Sequence, residues 1–494
     1  MTRALSSALL RACALHGPSI ALSGSGQSIT FDAFADAARS VERALRSGGL
    51  RPDEPVVLDV SNDPRDLVAL LGIWLADGVA IPVHRNTPAA ISQRLIDRTQ
   101  ARFRVQAAES PSVLKIAVEA PPIRPLLEDA AFVIFTSGST GEPKGVVMGQ
   151  QAFHDKLQQI DGLLDFGPGE RTLLVLNITF SFGLWVSLLT LLRGGTLFMH
   201  EKFDPRAFCD TLVDQRITRV GMVPTMMRVL FADPALASPI DRVVACGCLA
   251  QILIGGESLG RSLADTIRAR FETTRLVDIY GLTETATCDF FAFPADYAAH
   301  PGCIGRPAPG IAYRIANDDR AATDGDVGEL QIATPYAMRG YLDAPDLTAG
   351  AFSGRWFRTG DLARVVDGGL VELMGRRKEV ISRGGNKVTP VEIEQALCAH
   401  PDVAAAMAVG VVDPLLGERI HMLLVPRSGT TLDLAAIQDF LATRLERYKH
   451  PDRYYLADAL PTGRTGKADR GQLRTMIADR LVAPLEPRHS ESTP

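Results

Sequence analysis

The sequence predicts an α/β protein: a large N-terminal domain of helix-covered, largely parallel sheets, followed by a small C-terminal α+β domain. Length is the first indication, since 494 residues exceed what one hydrophobic core serves and call for two or more domains. The second is rhythm: from residue 130 short β-rich runs alternate with helical patterns, as in parallel sheets covered by helices. Third, the rhythm changes near residue 360, where a hairpin pattern and a charged segment precede a stretch long enough for one small domain. The boundaries that follow are 1–375 for the large domain, 376–380 for a hinge, 381–484 for the small domain and 485–494 for a disordered tail rich in Pro and Ser.

In chain order, residues 1–19 alternate as an amphipathic helix does, and Arg11 interrupts the apolar stretch before it reaches signal-peptide length. Two longer apolar stretches, 67–83 and 182–199, are broken by Asp77 and Arg193 and fail as membrane spans. Residues 130–135 form a continuous apolar run, a buried strand; 146–148 form another strand segment, and Gln150–Leu164 a helix. Strands are expected at 173–176, Thr196–Met199, 220–223, 252–254 and 276–280, with amphipathic helices at 205–215 and 259–271 between them. Residues 363–366 and 370–374 flank Asp367-Gly368-Gly369 as a hairpin. The charged hinge Gly375-Arg376-Arg377-Lys378-Glu379 comes next. Thr389-Pro390-Val391-Glu392 then opens a helix with a capping Thr, a first-turn Pro and a Glu placed to complete a capping box. Strands are expected again at 405–411 and 421–425.

Composition narrows the function classes. Hydrophobic content of 46% and charge of 22% suit a soluble globular enzyme. A net charge of -5 without a basic run gives no electrostatic footprint for nucleic acid. Seven cysteines are scattered, and Cys246-Gly247-Cys248 has no second Cys or His cluster to complete a zinc site, so a reduced, cytoplasmic protein is expected.

Residues 136–145, TSGSTGEPKG, carry the most chemistry. Thr136, Ser137, Gly138, Ser139 and Thr140 offer backbone NH and hydroxyl donors that converge on an anion, glycine permits close approach, and Lys144 adds a charge. The loop follows a buried strand, at the end where open α/β sheets bind ligands, and so reads as a nucleotide phosphate site. Two familiar phosphate loops fail on spacing. Pro143 stands where G-x-x-x-x-G-K-[ST] needs its second glycine, and Ser139-Thr140-Gly141 breaks G-x-G-x-x-G.

The whole segment is similar to the phosphate-binding loop of the adenylate-forming superfamily, which contains acyl- and aryl-CoA synthetases, peptide-synthetase adenylation domains and beetle luciferases. Further matches follow in the superfamily's order: Tyr280-Gly281-Leu282-Thr283-Glu284 after a strand, Thr359-Gly360-Asp361 before the hairpin, Arg376 at the hinge, and Lys467 at the end of Pro461-Thr462-Gly463-Arg464-Thr465-Gly466-Lys467. The resemblance covers nearly the whole chain. It implies an enzyme that joins a carboxylic acid to AMP with release of pyrophosphate, then passes the acyl group to the thiol of CoA, largely by positioning and electrostatics.

It also implies roles. The loop from Thr136 to Lys144 would hold the β and γ phosphates, Thr283 would contact the α-phosphate, and Glu284 would bind Mg²⁺, a hard ion suited to carboxylate and phosphate oxygens. Asp361, supported by Arg376, would accept hydrogen bonds from the ribose hydroxyls. Gly255, Gly256 and Glu257, with Asp278, Tyr280 and Gly281, resemble adenine and acyl-pocket walls. Lys467 would bring an ammonium to the α-phosphate and carboxylate, where charge builds up. In the superfamily the small domain is mobile and rotates about the hinge after adenylation. Lys378 holds the hinge position, and Gly384 and Gly385 would let a pantetheine arm pass close to backbone, although a tight turn explains the same pair.

Acid specificity is expected at Phe180-Ser181-Phe182-Gly183 and after Glu284. Where many relatives carry a histidine this chain has Ser181, and Phe-Ser-Phe-Gly-Leu looks closer to the Phe-Ala-Tyr-Gly-Leu of benzoate-CoA-ligase-like members, which points to an aryl or compact acyl substrate. Core packing is the other account of Phe180 and Phe182. No aspartate lies between Asn177 and Trp185 to hold an amino group, which disfavours an α-amino acid. Arg228 and Arg306 are cationic candidates for a second carboxylate. The expected partners are a small carboxylic acid, ATP and CoA, in a monomer or homodimer. The alternatives are a carrier-protein phosphopantetheine as acceptor, or a non-catalytic nucleotide-binding protein.

Overall fold

The apolar runs of the sequence pair into three sheets in the computed structural model, which describes residues 3–107, 112–137, 143–317, 320–322, 325–463 and 468–485. The expected tail, apart from Leu485, lies outside these residues. One sheet runs, in spatial order, Gly340–Tyr341, Pro143–Gly149, Ala130–Ser137, Val79–His84, Pro55–Val60, Phe103–Gln106, Ser112–Lys115. At its centre Val79–His84 lies parallel to both neighbours, and these strands are buried on both faces, which is why they read as unbroken apolar runs.

The second sheet aligns Ile20–Gly24, Thr196–Met199, Arg171–Leu174, Arg219–Met222, Gln251–Gly255 and Arg275–Tyr280 in parallel. It continues antiparallel through Phe290–Ala292, Cys303–Pro307, Leu370–Arg376, Trp356–Val366, Gly328–Ala333 and Ala312–Asn317. Helices Ser181–Leu192 and Arg261–Arg270 set apolar residues into two separate cores, Leu184 and Leu188 in one, Ala264 and Ile267 in the other. Every described strand after Arg376 belongs to the third sheet, where Gly417–Pro426 lies between Val403–Asp413 and Arg453–Leu456. Helices Pro390–Cys398 and Leu434–Ala442 pack Ile393, Leu397, Ile437 and Leu441 against it, so this part is α+β.

Several boundaries move where side chains compete for backbone groups. The strand expected at 173–176 is observed as Arg171–Leu174, because Asn62 Nδ2 donates to the Leu176 carbonyl at 2.9 Å and takes it from the ladder. The helix expected at 259–271 starts at Arg261, after Gly260 at φ 71° turns the chain into it. Thr389 does precede Pro390–Cys398, but its side chain makes no capping bond, and the expected capping box is absent. Glu392 Oε1 instead accepts from Lys449 Nζ at 2.6 Å, a distant partner that local sequence spacing does not reveal. No described helix is long and apolar enough to cross a membrane.

A buried ion pair joins the two large sheets. Lys156, on the helix Gln150–Leu164, and Asp289, just before Phe290–Ala292, are both fully buried, with Nζ 3.5 Å from Oδ1. Burial raises the Asp289 carboxyl to about 6, against the opposing pull of the Lys156 charge. Removing one partner leaves the other charge uncompensated, so Lys156→Met is expected to lower the unfolding free energy in a urea titration by about 3–5 kcal/mol. Asp278 is also buried, and burial pushes its carboxyl from 3.8 up to about 7. A raised folded value means that its contribution is fully present below the unfolded value and is lost as pH rises through about 7. Asp278→Asn is therefore expected to weaken the fall in stability between about pH 4 and pH 7, read from urea unfolding at each pH.

Candidate active site

The phosphate arm is a hairpin. Ala130–Ser137 pairs antiparallel with Pro143–Gly149, with Thr136 opposite Lys144, and the helix Gln150–Leu164 starts only after the second strand. Gly138, Ser139 and Thr140, and the Ser137 side chain, lie outside the described residues. Lys144 Nζ stands 5.3 Å from the centre of the Tyr341 ring. Tyr341 pairs with Val146 on the neighbouring strand, and its hydroxyl donates to Glu284 Oε1 at 3.0 Å. Burial and then the Glu284 charge raise the Tyr341 phenol, which keeps it a proton donor. Sequence reasoning missed Tyr341, whose place depends on the pairing of a two-residue strand.

The centre of the site is the turn leaving Arg275–Tyr280. Thr283–Thr285 forms a single 3-10 turn, and then Ala286, Thr287 and Cys288 take left-handed φ of 62°, 68° and 52°. Such non-glycine conformations cost on the order of 1 kcal/mol each and persist only where the surroundings fix them. Here the chain doubles back: Thr287 N donates to Leu282 O at 2.7 Å and Asp289 N to Tyr280 O at 2.8 Å. The Asp289 carboxylate accepts from the Thr285 hydroxyl and faces Lys156, whose Nζ lies 5.4 Å from the Tyr336 ring centre. Met338 N, two residues on, donates to Glu284 O at 2.8 Å. The Cys288 thiol, fully buried in this turn, is pushed up to about 12 by burial.

Two expected pocket glycines have an internal reason. A Cβ on Gly281 would lie 2.2 Å from Cys288 N, and one on Gly255 2.4 Å from Ile279 O, so protein backbone already demands both. Gly256, at φ 84°, is exposed just beyond the strand Gln251–Gly255.

On the acyl side, Ser181 Oγ lies 3.3 Å from Thr283 Oγ1. Phe180 precedes the helix Ser181–Leu192, and Phe182 stacks on Trp185 with centroids 5.5 Å apart and planes 5° from parallel; both phenylalanines are half-buried. On the opposite side, the Tyr280 hydroxyl donates to Asp361 Oδ2 at 2.7 Å and Arg376 Nε lies 3.0 Å from Oδ1. Asp361 and Arg376 are register partners in the Trp356–Val366 and Leu370–Arg376 hairpin. Asp361 is 4% exposed, and burial raises its carboxyl while Arg376 and Tyr280 oppose the rise. Each carboxylate oxygen retains a further lone pair for a hydroxyl donor. Asp278 shares a strand face with Leu276, in the core that also holds Tyr297 and Cys303.

Glu257 accepts from Thr225 Oγ1 at 3.0 and 2.8 Å, from Arg228 Nη1 at 3.3 Å, and from the Ala468 backbone N–H at 3.1 Å. Arg228 is thus engaged within the protein. Arg306 pairs with Asp296 at 3.0 Å and donates to the Gly368 carbonyl, so neither arginine stands free for a second substrate carboxylate. Lys378 is exposed on the short turn Arg377–Glu379. Gly384 and Gly385, at φ 57° and 84°, close the Ile381–Arg383 and Asn386–Val388 hairpin, so the tight-turn account of the pair holds. Lys467 lies outside the described residues.

Among the described residues no group of three or more His, Cys, Asp or Glu side chains gathers as a metal cage. A magnesium ion carried on phosphates needs only one or two protein carboxylates, and Glu284 fits that need, with one oxygen held by Tyr341.

The family pattern of AMP-binding enzymes matches residues 9–342, and that of the AMP-binding enzyme C-terminal domain matches residues 392–467. A feruloyl-CoA synthase from Amycolatopsis sp is 30% identical over 473 residues, spanning 89% of this chain and 93% of that protein. A sulfoacetate–CoA ligase from Cupriavidus necator is 31% identical over 483 residues, spanning 91% and 92%. The solved structure of ATP-bound MatB from Rhodopseudomonas palustris has a TM-score of 0.85 over 97% of this chain and 100% of that one, at 23% identity, a likeness of fold. With one family pattern matching residues 9–342, well over half of its length, the chain belongs to the AMP-binding enzyme family.

Proposed function

We propose that this chain is an AMP-forming acid–thiol ligase, which activates a carboxylic acid with ATP and then transfers the acyl group to CoA. One observation carries this reading: Thr283 and Glu284 stand between Ser181, on the acyl side, and the Tyr341–Lys144 pair on the phosphate side. A carboxylate oxygen attacking the α-phosphorus needs that order, with the acid on one side of the α-phosphate and the departing pyrophosphate on the other. Thr136 and Lys144 would hold the leaving group, Thr283 would orient the α-phosphate, and Asp361 would fix the ribose. Magnesium, bound on the nucleotide beside Glu284, would offset phosphate charge. In the second step the CoA sulfur attacks the acyl carbonyl, AMP leaves with the electron pair of the broken bond, and the thiol proton passes to solvent.

The two relatives named above are themselves CoA ligases, which supports CoA as acceptor. Ser181 and the stacked Phe182 and Trp185 favour an aryl or compact acyl group. A cytoplasmic site of action suits ATP and CoA as substrates. The direct test is pyrophosphate release over aryl, short-chain, dicarboxylic and fatty acids, with CoA or a phosphopantetheinylated carrier protein as acceptor. Turnover of an aryl or compact acid with CoA is expected; turnover with the carrier alone would overturn the CoA assignment.

Two variants probe the separate roles. Lys467→Ala is expected to lower acid-dependent pyrophosphate exchange by about two to three orders of magnitude, the usual loss for a transition-state donor, while thioester formation from supplied acyl-adenylate persists. Asp361→Ala removes hydrogen bonds to a charged acceptor, and a rise of about tenfold to a hundredfold in the KM for ATP is expected in steady-state kinetics, with kcat less affected.

A further inference from the structure

Cys246-Gly247-Cys248 closes the helix Ala237–Cys246. Gly247, at φ 62° and ψ 14°, caps that helix in the left-handed region and curls the chain back on itself. The Cys248 thiol therefore returns to the helix end, where Sγ donates to the Cys246 carbonyl at 3.3 Å. The two thiols also hydrogen-bond to each other, and that bond, with burial, raises the Cys248 thiol above its ordinary value. Both side chains are half-buried. Among the described residues no third His, Cys, Asp or Glu joins them as a metal ligand, so the chemistry on offer is that of a thiol pair.

Cys248 opens onto a groove of about 370 Å³ lined also by Arg171, Gln215, Arg216 and Thr218. The groove lies where the parallel strands Arg171–Leu174, Arg219–Met222 and Gln251–Gly255 begin, whereas the Thr-Glu turn leaves the other end of the same sheet at Tyr280. Arg171 donates to the Gln215 carbonyl and lies over the Phe198 ring, 4.6 Å from its centre. Arg216 is exposed, and its charge draws the Cys248 value down against the rise. Neither arginine stands in an ion pair among the described residues, while Asp214, the acidic residue of the lining, lies 3.9 Å from Arg242. A dithiol and an excess of positive charge thus share one open groove.

We propose that Cys246 and Cys248 are a dithiol modification site, oxidised to an intramolecular disulfide by a small anionic disulfide of the glutathione class that seats its carboxylates on Arg171 and Arg216. The Cys246 thiolate attacks one sulfur of that disulfide; the S–S bond breaks, and one thiolate leaves with the electron pair and takes up a proton. Cys248 then loses its proton to solvent and attacks the Cys246 sulfur, expelling the second thiolate, which is protonated in turn. Two protein thiols are thereby oxidised, and one disulfide is reduced to two thiols. The other cysteines are poorly placed to compete. Cys13, Cys209, Cys288 and Cys303 are buried, and burial pushes the Cys398 thiol up to about 11.

The test treats the full-length protein, freed of reductant, with excess oxidised glutathione and follows intact mass and peptide maps. Wild type is expected to lose two hydrogens, with the link mapped to Cys246 and Cys248, and to regain them with dithiothreitol. Cys248→Ser is expected to stop at one glutathionyl group on Cys246, and Cys246→Ser to form no internal disulfide. Arg216→Ala is expected to slow the reaction with oxidised glutathione by roughly tenfold while neutral hydroxyethyl disulfide reacts at the wild-type rate, which guards against a folding defect. Cys246 and Cys248 remaining reduced under excess oxidised glutathione, or a link from either one to another cysteine, would overturn the site. Slowing of both disulfides alike by Arg216→Ala, or of neither, would overturn the anionic ligand.

Discussion

Lys156 and Asp289 are both fully buried, where neither charge is tolerable without the other. Their separation therefore fixes the distance between two pieces of chain remote in sequence: the helix that follows the phosphate hairpin, and the strand that follows the Thr-Glu turn. Between those fixed points the chain must double back, and three left-handed residues in succession are how it does so. Released from Asp289, that turn would relax toward ordinary backbone and carry Thr283 and Glu284 with it. The ion pair is thus a structural member of the site, though no substrate atom would touch it.

Around this turn the two carboxylates proposed to meet the nucleotide are treated alike. Glu284 and Asp361 each accept from a tyrosine hydroxyl, Tyr341 and Tyr280, whose phenols burial holds protonated. A neutral donor orients a carboxylate without cancelling its charge, whereas a lysine in the same place would compete with any cation or hydroxyl arriving later. Arg376 does add a charge at Asp361, but from the hairpin partner strand and to the other oxygen. Both groups remain directed and still able to accept.

Much of this was legible from the chain alone. Strands buried on both faces, such as Ala130–Ser137 and Arg275–Tyr280, leave apolar runs between turn residues, and the helix Gln150–Leu164 has the bounds its periodicity implied. The order of the motifs also pointed to the family that the chain proved to share. What stayed hidden depends on distant pairing. A lysine on a helix reads as a surface residue, so Lys156 gave no sign of its buried partner, and Tyr341 stands out only once its strand is laid against Val146. Gly255 and Gly281 were visible as glycines, yet their cause is a crossing of the protein's own backbone. Thr389 and Glu392 show the converse, a sound local signal set aside for a long-range ion pair with Lys449.

Cys288 adds a matter of chemical housekeeping. An acyl-adenylate is open to attack by any thiolate within reach, and the reactive form of cysteine is the thiolate. The thiol inside the Thr-Glu turn is fully buried and protonated throughout the physiological range, its value pushed up to about 12. The same desolvation that helps to hold the turn makes its sulfur a poor nucleophile. An enzyme that hands an acyl group to an external thiol thereby avoids acylating itself at this position.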